Sequence, residues 1–176
     1  MNIFHEYDIR GVYARELNDD FAYILGRAIV RYCTPKKIII GYDSRNSSKN
    51  LFKQISKSIT EEGIDIVDAG LISRPMLNFI SWKEKYDLGI MITASHNPKE
   101  YNGFKFILNS KPLYYSNGLN DVEILIEKLS KEKFSKAKKL GKIIPIDYID
   151  KYVNFMSKNL SSKFKKFNSK KPLRIV

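Results

Sequence analysis

Two spacings of apolar residues alternate along the first 130 positions, and the switches between them mark out the elements. From Asn18 the spacing is helical, with Phe21, Leu25, Ala28, Ile29 and Tyr32 on one face, Asn18 as the cap and Pro35 as the stop. Ile38-Ile39-Ile40 is a β-branched run that predicts a buried strand. A second helix has Leu51, Phe52, Ile55 and Ile59 inside and stops at Gly63. Ile64 to Gly70 alternates as a strand, and Ser73-Arg74-Pro75 opens a third helix with Pro75 at its first position. That helix leads through Trp82 to a second apolar run, Leu88 to Ile92, also read as a buried strand. Phe104, Phe106 and Ile107 then alternate with Lys105 like a returning strand. Lys111 to Gly118 reads as a hairpin or loop, and Val122, Leu125, Ile126 and Leu129 form the buried face of a helix from Leu119 to Leu129. Strand, helix, strand, helix, strand predicts an α/β fold: a mostly parallel, mixed sheet with helices on both faces, a three-layer α/β/α sandwich.

Beyond that helix the pattern thins. A domain boundary is expected near Lys142, so that residues 1–142 form one domain. Residues 143–176 then read as a helix from Asp147 to about Leu160, a lysine- and serine-rich linker, and a strand beginning at Pro172. The apolar run that reaches Val176 reads as the first strand of an incomplete second domain.

Composition narrows the function. In 176 residues there is room for one domain with a real core and a piece of another. No apolar stretch is long enough to span a membrane and the first ten residues lack a signal-peptide core, so cytoplasmic residence is expected. Cys33 is the single cysteine and sits in a helical apolar pattern, which reads as a small buried hydrophobe. Two histidines, His5 and His96, cannot assemble a zinc cluster. The net charge of +12 is uneven: residues 131–176 hold 14 of the 31 lysines and arginines but only 3 of the 19 acids. The tail carries no zinc-finger, helix-turn-helix or RNA-binding signature, and a solvated or interdomain surface is preferred for it over a nucleic-acid site.

The densest chemistry follows the strand at Leu88. Thr93-Ala94-Ser95-His96-Asn97-Pro98 is a turn signal, and Gly103 marks a second bend. A hydroxyl is thus presented at the exit of a strand, beside an imidazole and near Lys105. In open α/β sheets ligands bind beyond the carboxyl ends of the strands, where Ser95 lies. A second strand-loop-helix junction, Gly41-Tyr42-Asp43-Ser44-Arg45-Asn46-Ser47-Ser48, points backbone donors outward, although serine-rich caps are common and capping is the preferred role of Ser47 and Ser48. There is no Gly-x-Ser-x-Gly elbow and no Walker loop, which disfavours a serine hydrolase and a nucleotide-binding P-loop.

The run Thr93 to Pro98, followed by Tyr101-Asn102-Gly103-Phe104-Lys105, resembles the phosphoserine loop of the α-D-phosphohexomutases, and its ending is closer to the phosphomannomutase/phosphoglucomutase branch than to the glucosamine branch. Independently, the Tyr7-Asp8-Ile9-Arg10-Gly11 stretch resembles that family's opening segment, and Gly41-Tyr42-Asp43-Ser44-Arg45 its Gly-x-Asp-x-Arg segment. The resemblance implies that Ser95 carries a phosphoryl group and exchanges it with a hexose phosphate through a hexose bisphosphate. It makes Ser95, His96, Lys105 and Arg10 catalytic, Tyr7, Arg10, Asn97 and Lys105 substrate-binding, and Asp43 and Arg45 supports. It also implies magnesium, with a phosphorylated Ser95 as one ligand.

Other family parts are missing from the chain: the Asp-x-Asp-x-Asp metal run, the Gly-Glu-x-Ser-Gly sugar-reading loop and the last domain's phosphate loop. Domains in cis or a complementing chain are therefore the expected partners, and the chain alone is expected to be inactive. The alternative from another class is a non-catalytic phosphosugar-binding or interaction module with a basic docking tail.

Overall fold

The computed structural model describes residues 3–164. The elements in chain order are β1 (Phe4–His5), β2 (Asp8–Val12), α1 (Asp19–Cys33), β3 (Ile38–Tyr42), α2 (Ser48–Glu61), β4 (Ile66–Leu71), α3 (Arg74–Lys83), β5 (Leu88–Ile92), β6 (Tyr101–Leu108), β7 (Lys111–Leu113), α4 (Leu119–Leu129), β8 (Ile143–Pro145) and α5 (Ile149–Phe164), with a 3-10 turn at Tyr115–Asn117. The strands form one mixed sheet in the order β1-β2-β6-β5-β3-β4-β8, with β7 hairpinned onto β6. Parallel pairing is confined to β5, β3, β4 and β8. From β6 outward every pairing is antiparallel.

Local rules account for the helix ends. Asn18 Oδ1 accepts from the Phe21 amide at 2.8 Å, and Thr34 closes α1 in the left-handed region just before Pro35. Ser73 caps α3, whose first residue is Arg74, with Pro75 second.

The period of two divides the sheet between two helical layers. Ile38 and Ile40, Leu88, Ile90 and Ile92, and Phe104 and Phe106 face one way and join α1, α2 and α4 in the main core. Residues between them face α3: a Cβ at Gly89 would press on Ser81 Oγ of that helix. Because Met91 is registered with Lys105, the lysine falls on the α3 side. The chain thus forms a three-layer α/β/α sandwich. Each fully buried Phe, Leu or Ile of the main core contributes about 1.5–3 kcal/mol of hydrophobic stabilisation.

The compact unit built on the sheet ends at Ile146, because β8 pairs with β4 beyond the boundary expected at Lys142. The described part of the second unit is α5, begun by Asp147, whose carboxylate accepts from the Ile149 amide at 2.8 Å. It runs past the expected stop at Leu160 to Phe164. The rest of the lysine- and serine-rich linker and the expected strand at Pro172 lie outside the described residues.

Candidate active site

Ser95 is delivered by β5, a wholly buried central strand, to the carboxyl end of the parallel run. The adjoining loop returns at once through antiparallel β6, so both its ends are anchored in neighbouring strands. Ser95 is exposed and has φ +58°, a left-handed conformation uncommon for a residue other than glycine. Its amide donates to Thr93 Oγ1 at 2.9 Å, and that hydroxyl donates in turn to Asp43 Oδ2 at 2.7 Å. The local hydrogen bonds therefore hold a backbone turn that aims the serine side chain outward.

Asp43 and Arg45 clamp this loop from the end of β3. Asp43 accepts from Thr93, from Ser48 Oγ at 2.7 Å and from Arg45 Nε at 3.0 Å. The Arg45 guanidinium donates to four main-chain carbonyls, those of Ser95, Asn97, Pro98 and Tyr101, at 2.6–3.0 Å. A planar five-donor fork suits such multiple acceptors. Asn97 adds a further tie, donating from its side-chain amide to the Ala94 carbonyl at 2.9 Å.

The residues of the returning strand have separate tasks. Asn102 is fully buried and donates to Ser47 and Ser48 at 2.8 and 3.0 Å, fixing β6 to the start of α2. These two serines, part of a junction that looked able to meet an anion, have hydroxyls engaged inside the protein. Gly103 lies where a Cβ would collide with the Ile9 carbonyl and come within 3.1 Å of that of Thr93, so only glycine lets β2 and β6 approach. Phe104 enters the core.

Lys105 emerges beside β2, whose register pairs Ile9 with Phe104 and Arg10 with Gly103. Lys105 Nζ donates to Asp8 Oδ2, and Arg10 Nη2 donates to Asp8 Oδ1 at 3.2 Å. One buried carboxylate thus orients two cations. Asp8 was not singled out from sequence. Its signal is the alternation in Tyr7-Asp8-Ile9-Arg10, which puts Asp8 and Arg10 on one face of a strand.

Ser95 stands between two recesses. The larger, about 730 Å³, is lined by Asp43, Arg45, Asn46, Asn97 and Lys99 among others. The smaller, about 390 Å³, brings Ser95 together with His96, Lys105, Thr93, Asp43 and Arg74. His96 Nδ1 lies 3.4 Å from Ser95 Oγ. Arg10 is not a lining residue of either recess and reaches the site through Asp8. Tyr7 is likewise outside both; it is 64% exposed and packs edge-on against Tyr114, with ring centroids 5.1 Å apart.

This arrangement presents a hydroxyl on a hydrogen-bonded turn, beside the cations of Lys105 and Arg74. The family profile for phosphoglucomutase/phosphomannomutase, alpha/beta/alpha domain I, matches residues 1–133. The chain belongs to the phosphoglucomutase/phosphomannomutase family. It is 36% identical over 156 residues to a phosphoglucomutase of Neisseria meningitidis serogroup A, covering 87% of this chain and 33% of that protein. It is 36% identical over 155 residues to a phosphomannomutase of Klebsiella pneumoniae, covering 88% of this chain and 98% of that one. A crystal structure of a phosphoglucomutase/phosphomannomutase family protein from Burkholderia thailandensis superposes with a TM-score of 0.73 at 29% identity, over 87% of this chain and 34% of that chain. The chain thus spans about a third of the N. meningitidis relative and matches domain I of the family.

Among the described residues no group of three histidine, cysteine or carboxylate side chains converges to hold a metal ion. Asp43, the carboxylate that lines both recesses, already accepts from Thr93, Ser48 and Arg45. The described residues do not by themselves form a magnesium cage. Among them no helix is long and apolar enough to cross a membrane.

Proposed function

We propose that this chain is the phosphoryl-carrying first domain of a phosphohexomutase of the phosphomannomutase/phosphoglucomutase branch. The reaction would interconvert the 1- and 6-phosphates of mannose or glucose in the cytoplasm. The observation that carries the reading is the mounting of Ser95: an exposed hydroxyl on a left-handed residue, between two recesses, with its loop clamped by Asp43 and Arg45.

The chemistry follows from that mounting. The bond between Ser95 Oγ and phosphorus breaks as a sugar hydroxyl oxygen bonds to the same phosphorus, and the hydroxyl proton leaves to a nearby base. The resulting hexose bisphosphate reorients, the bond between its other phosphorus and the sugar oxygen breaks as Ser95 Oγ bonds to that phosphorus, and the base returns the proton to the leaving sugar oxygen. Such transfer depends on positioning and charge neutralisation more than on an activated nucleophile. Lys105 supplies a cation in the smaller recess and Arg10 a bidentate donor behind it, both oriented by Asp8. His96 is the proton-transfer group beside Oγ. Asn97 and Tyr7 serve as substrate contacts at the loop and rim, and Asp43 and Arg45 keep the loop in register. Magnesium, when bound, would neutralise phosphoryl charge, with phosphorylated Ser95 as its one ligand from this chain. The remaining ligands and the sugar-reading residues would come from domains in cis or from a complementing chain.

The test is the mass of the protein isolated gently from its own cells, followed by phosphopeptide mapping. One phosphoryl group on Ser95, lost in Ser95→Ala together with mutase turnover of the native assembly, supports the reading. Full turnover by Ser95→Ala overturns it.

A further inference from the structure

Arg74 belongs to none of the segments that carry the family resemblance, yet its side chain lines the smaller recess with Ser95, His96 and Lys105. It is the first residue of α3, on the side of the sheet from which Lys105 also projects. Its Nε donates to Asn78 Oδ1 at 2.8 Å, one turn along the helix, which sets the plane of the guanidinium. Its Nη1 is buried and has no hydrogen-bond partner among the described residues. A buried charged donor without an acceptor is unfavourable, so such a group calls for an explanation.

The neighbouring acids do not supply one. Asp8 is shared by Lys105 and Arg10, and Asp43 by Arg45, Ser48 and Thr93. Burial pulls the Arg74 pKa down, and the charge of Asp8 offsets this only in part. A guanidinium nevertheless stays charged at neutral pH. Cations therefore exceed free carboxylate at this recess, and its unsatisfied N–H belongs to a residue suited to tetrahedral anions.

We propose that Arg74 is a phosphoryl-binding residue of this site, its guanidinium donating to a non-bridging oxygen of a phosphate held beside Ser95, with Lys105 contributing a second cation. The ligand class is a phosphate monoester dianion. Its source is either the phosphoryl group on Ser95 or the phosphate of a soluble sugar phosphate. The inference deepens the phosphoserine reading and rests on it for the identity of the anion.

The experiment has two arms, both run on the whole chain as wild type, Arg74→Gln and Arg74→Lys. In the first, phosphoserine is installed at position 95 during translation and its second ionisation is followed by ³¹P NMR against pH. A cation within reach favours the dianion, so Arg74→Gln is expected to raise that pKa by about half a unit to one unit. In the second arm, inorganic phosphate is titrated into the unphosphorylated chain and the amides of Ser95 and Lys105 are followed. Here Arg74→Gln is expected to weaken binding by roughly tenfold, about 1.4 kcal/mol. Arg74→Lys, which keeps charge without the fork, should fall between and guards against misfolding of the glutamine variant. A change confined to the first arm assigns Arg74 to the serine-borne phosphoryl, and one confined to the second assigns it to the soluble phosphate. Unchanged values in both arms for folded variants overturn the proposal. Failure of the parent reading shows separately, as absence of phosphate on Ser95 in protein from its own cells.

Discussion

The guanidinium of Arg45 donates to the main-chain carbonyl of Ser95 at 2.9 Å, so the residue that presents the hydroxyl is held by its backbone from across the loop. Three more carbonyls and the Asp43 carboxylate share the same side chain. Lysine at position 45 keeps the charge but cannot serve this set of acceptors. Arg45→Lys is expected to speed amide exchange across Ser95–Tyr101 roughly tenfold, the equivalent of one charge-assisted hydrogen bond, and to lower phosphate occupancy at Ser95. Exchange rates matching wild type would show that the loop holds its shape without the clamp.

Asp8 is 4% exposed and balances both Lys105 and Arg10. Asp8→Asn leaves two cations facing each other with no carboxylate between them. The cations remain partly solvated, so the expected loss is about 2–3 kcal/mol, below the full figure for a sealed ion pair. For a chain of this size that lowers the melting temperature by about 4–12 °C, measurable by calorimetry.

A second polar cluster sits away from the site and is expected to make the fold sensitive to acid. Arg27 is fully buried, paired with Glu61 at 2.9 Å and with Glu62, and stacked 4.6 Å from the Phe134 ring centroid. Burial pushes the Glu61 carboxyl up, but hydrogen bonds from Tyr23, Lys136 and Arg27 outweigh it and hold the group below the usual carboxylate range. A carboxyl depressed in the folded state stabilises above its unfolded pKa, and that stability is lost as pH falls through the folded value. The melting temperature should therefore hold between about pH 6 and pH 5 and then fall with acid. Glu61→Gln should melt lower at neutral pH and show a shallower acid decline. A decline as steep as wild type would place the sensitivity elsewhere.

Cys33 tests the core more simply. Burial pushes its thiol up to about 12, so at pH 8 almost none is thiolate. Iodoacetamide at that pH should leave the native protein unlabelled over a period that fully labels the urea-unfolded chain. Fast native labelling would mean that the end of α1 opens.

Much of this was legible in order along the chain. The helices announce themselves through a 3.6-residue repeat and their caps, and α4 was expected at Leu119 to Leu129, where it lies. Ser95 and Lys105 stand in one short contiguous run. What escaped depends on distance in sequence. β1 has two residues and β8 three, too few for a period, and β8 ends on a proline that only a sheet margin tolerates. The Asp8–Lys105 contact joins residues 97 positions apart, and no local spacing encodes a strand register. In the sequence Arg74 is only the neighbour of a helix-opening proline, because nothing local reveals that its Nη1 is enclosed.

The loop that bears Ser95 springs from one strand and lands on the adjacent one, with the Thr93 amide donating back to the Gly103 carbonyl at 2.9 Å. Its freedom to rearrange is given up when the sheet forms. In the proposed reaction the serine is then an anvil rather than an arm. Held in this way it would not travel between the two ends of a sugar; the sugar would have to revolve in front of it, and any domains that complete the site would need to release their guest far enough to let it spin without letting it go.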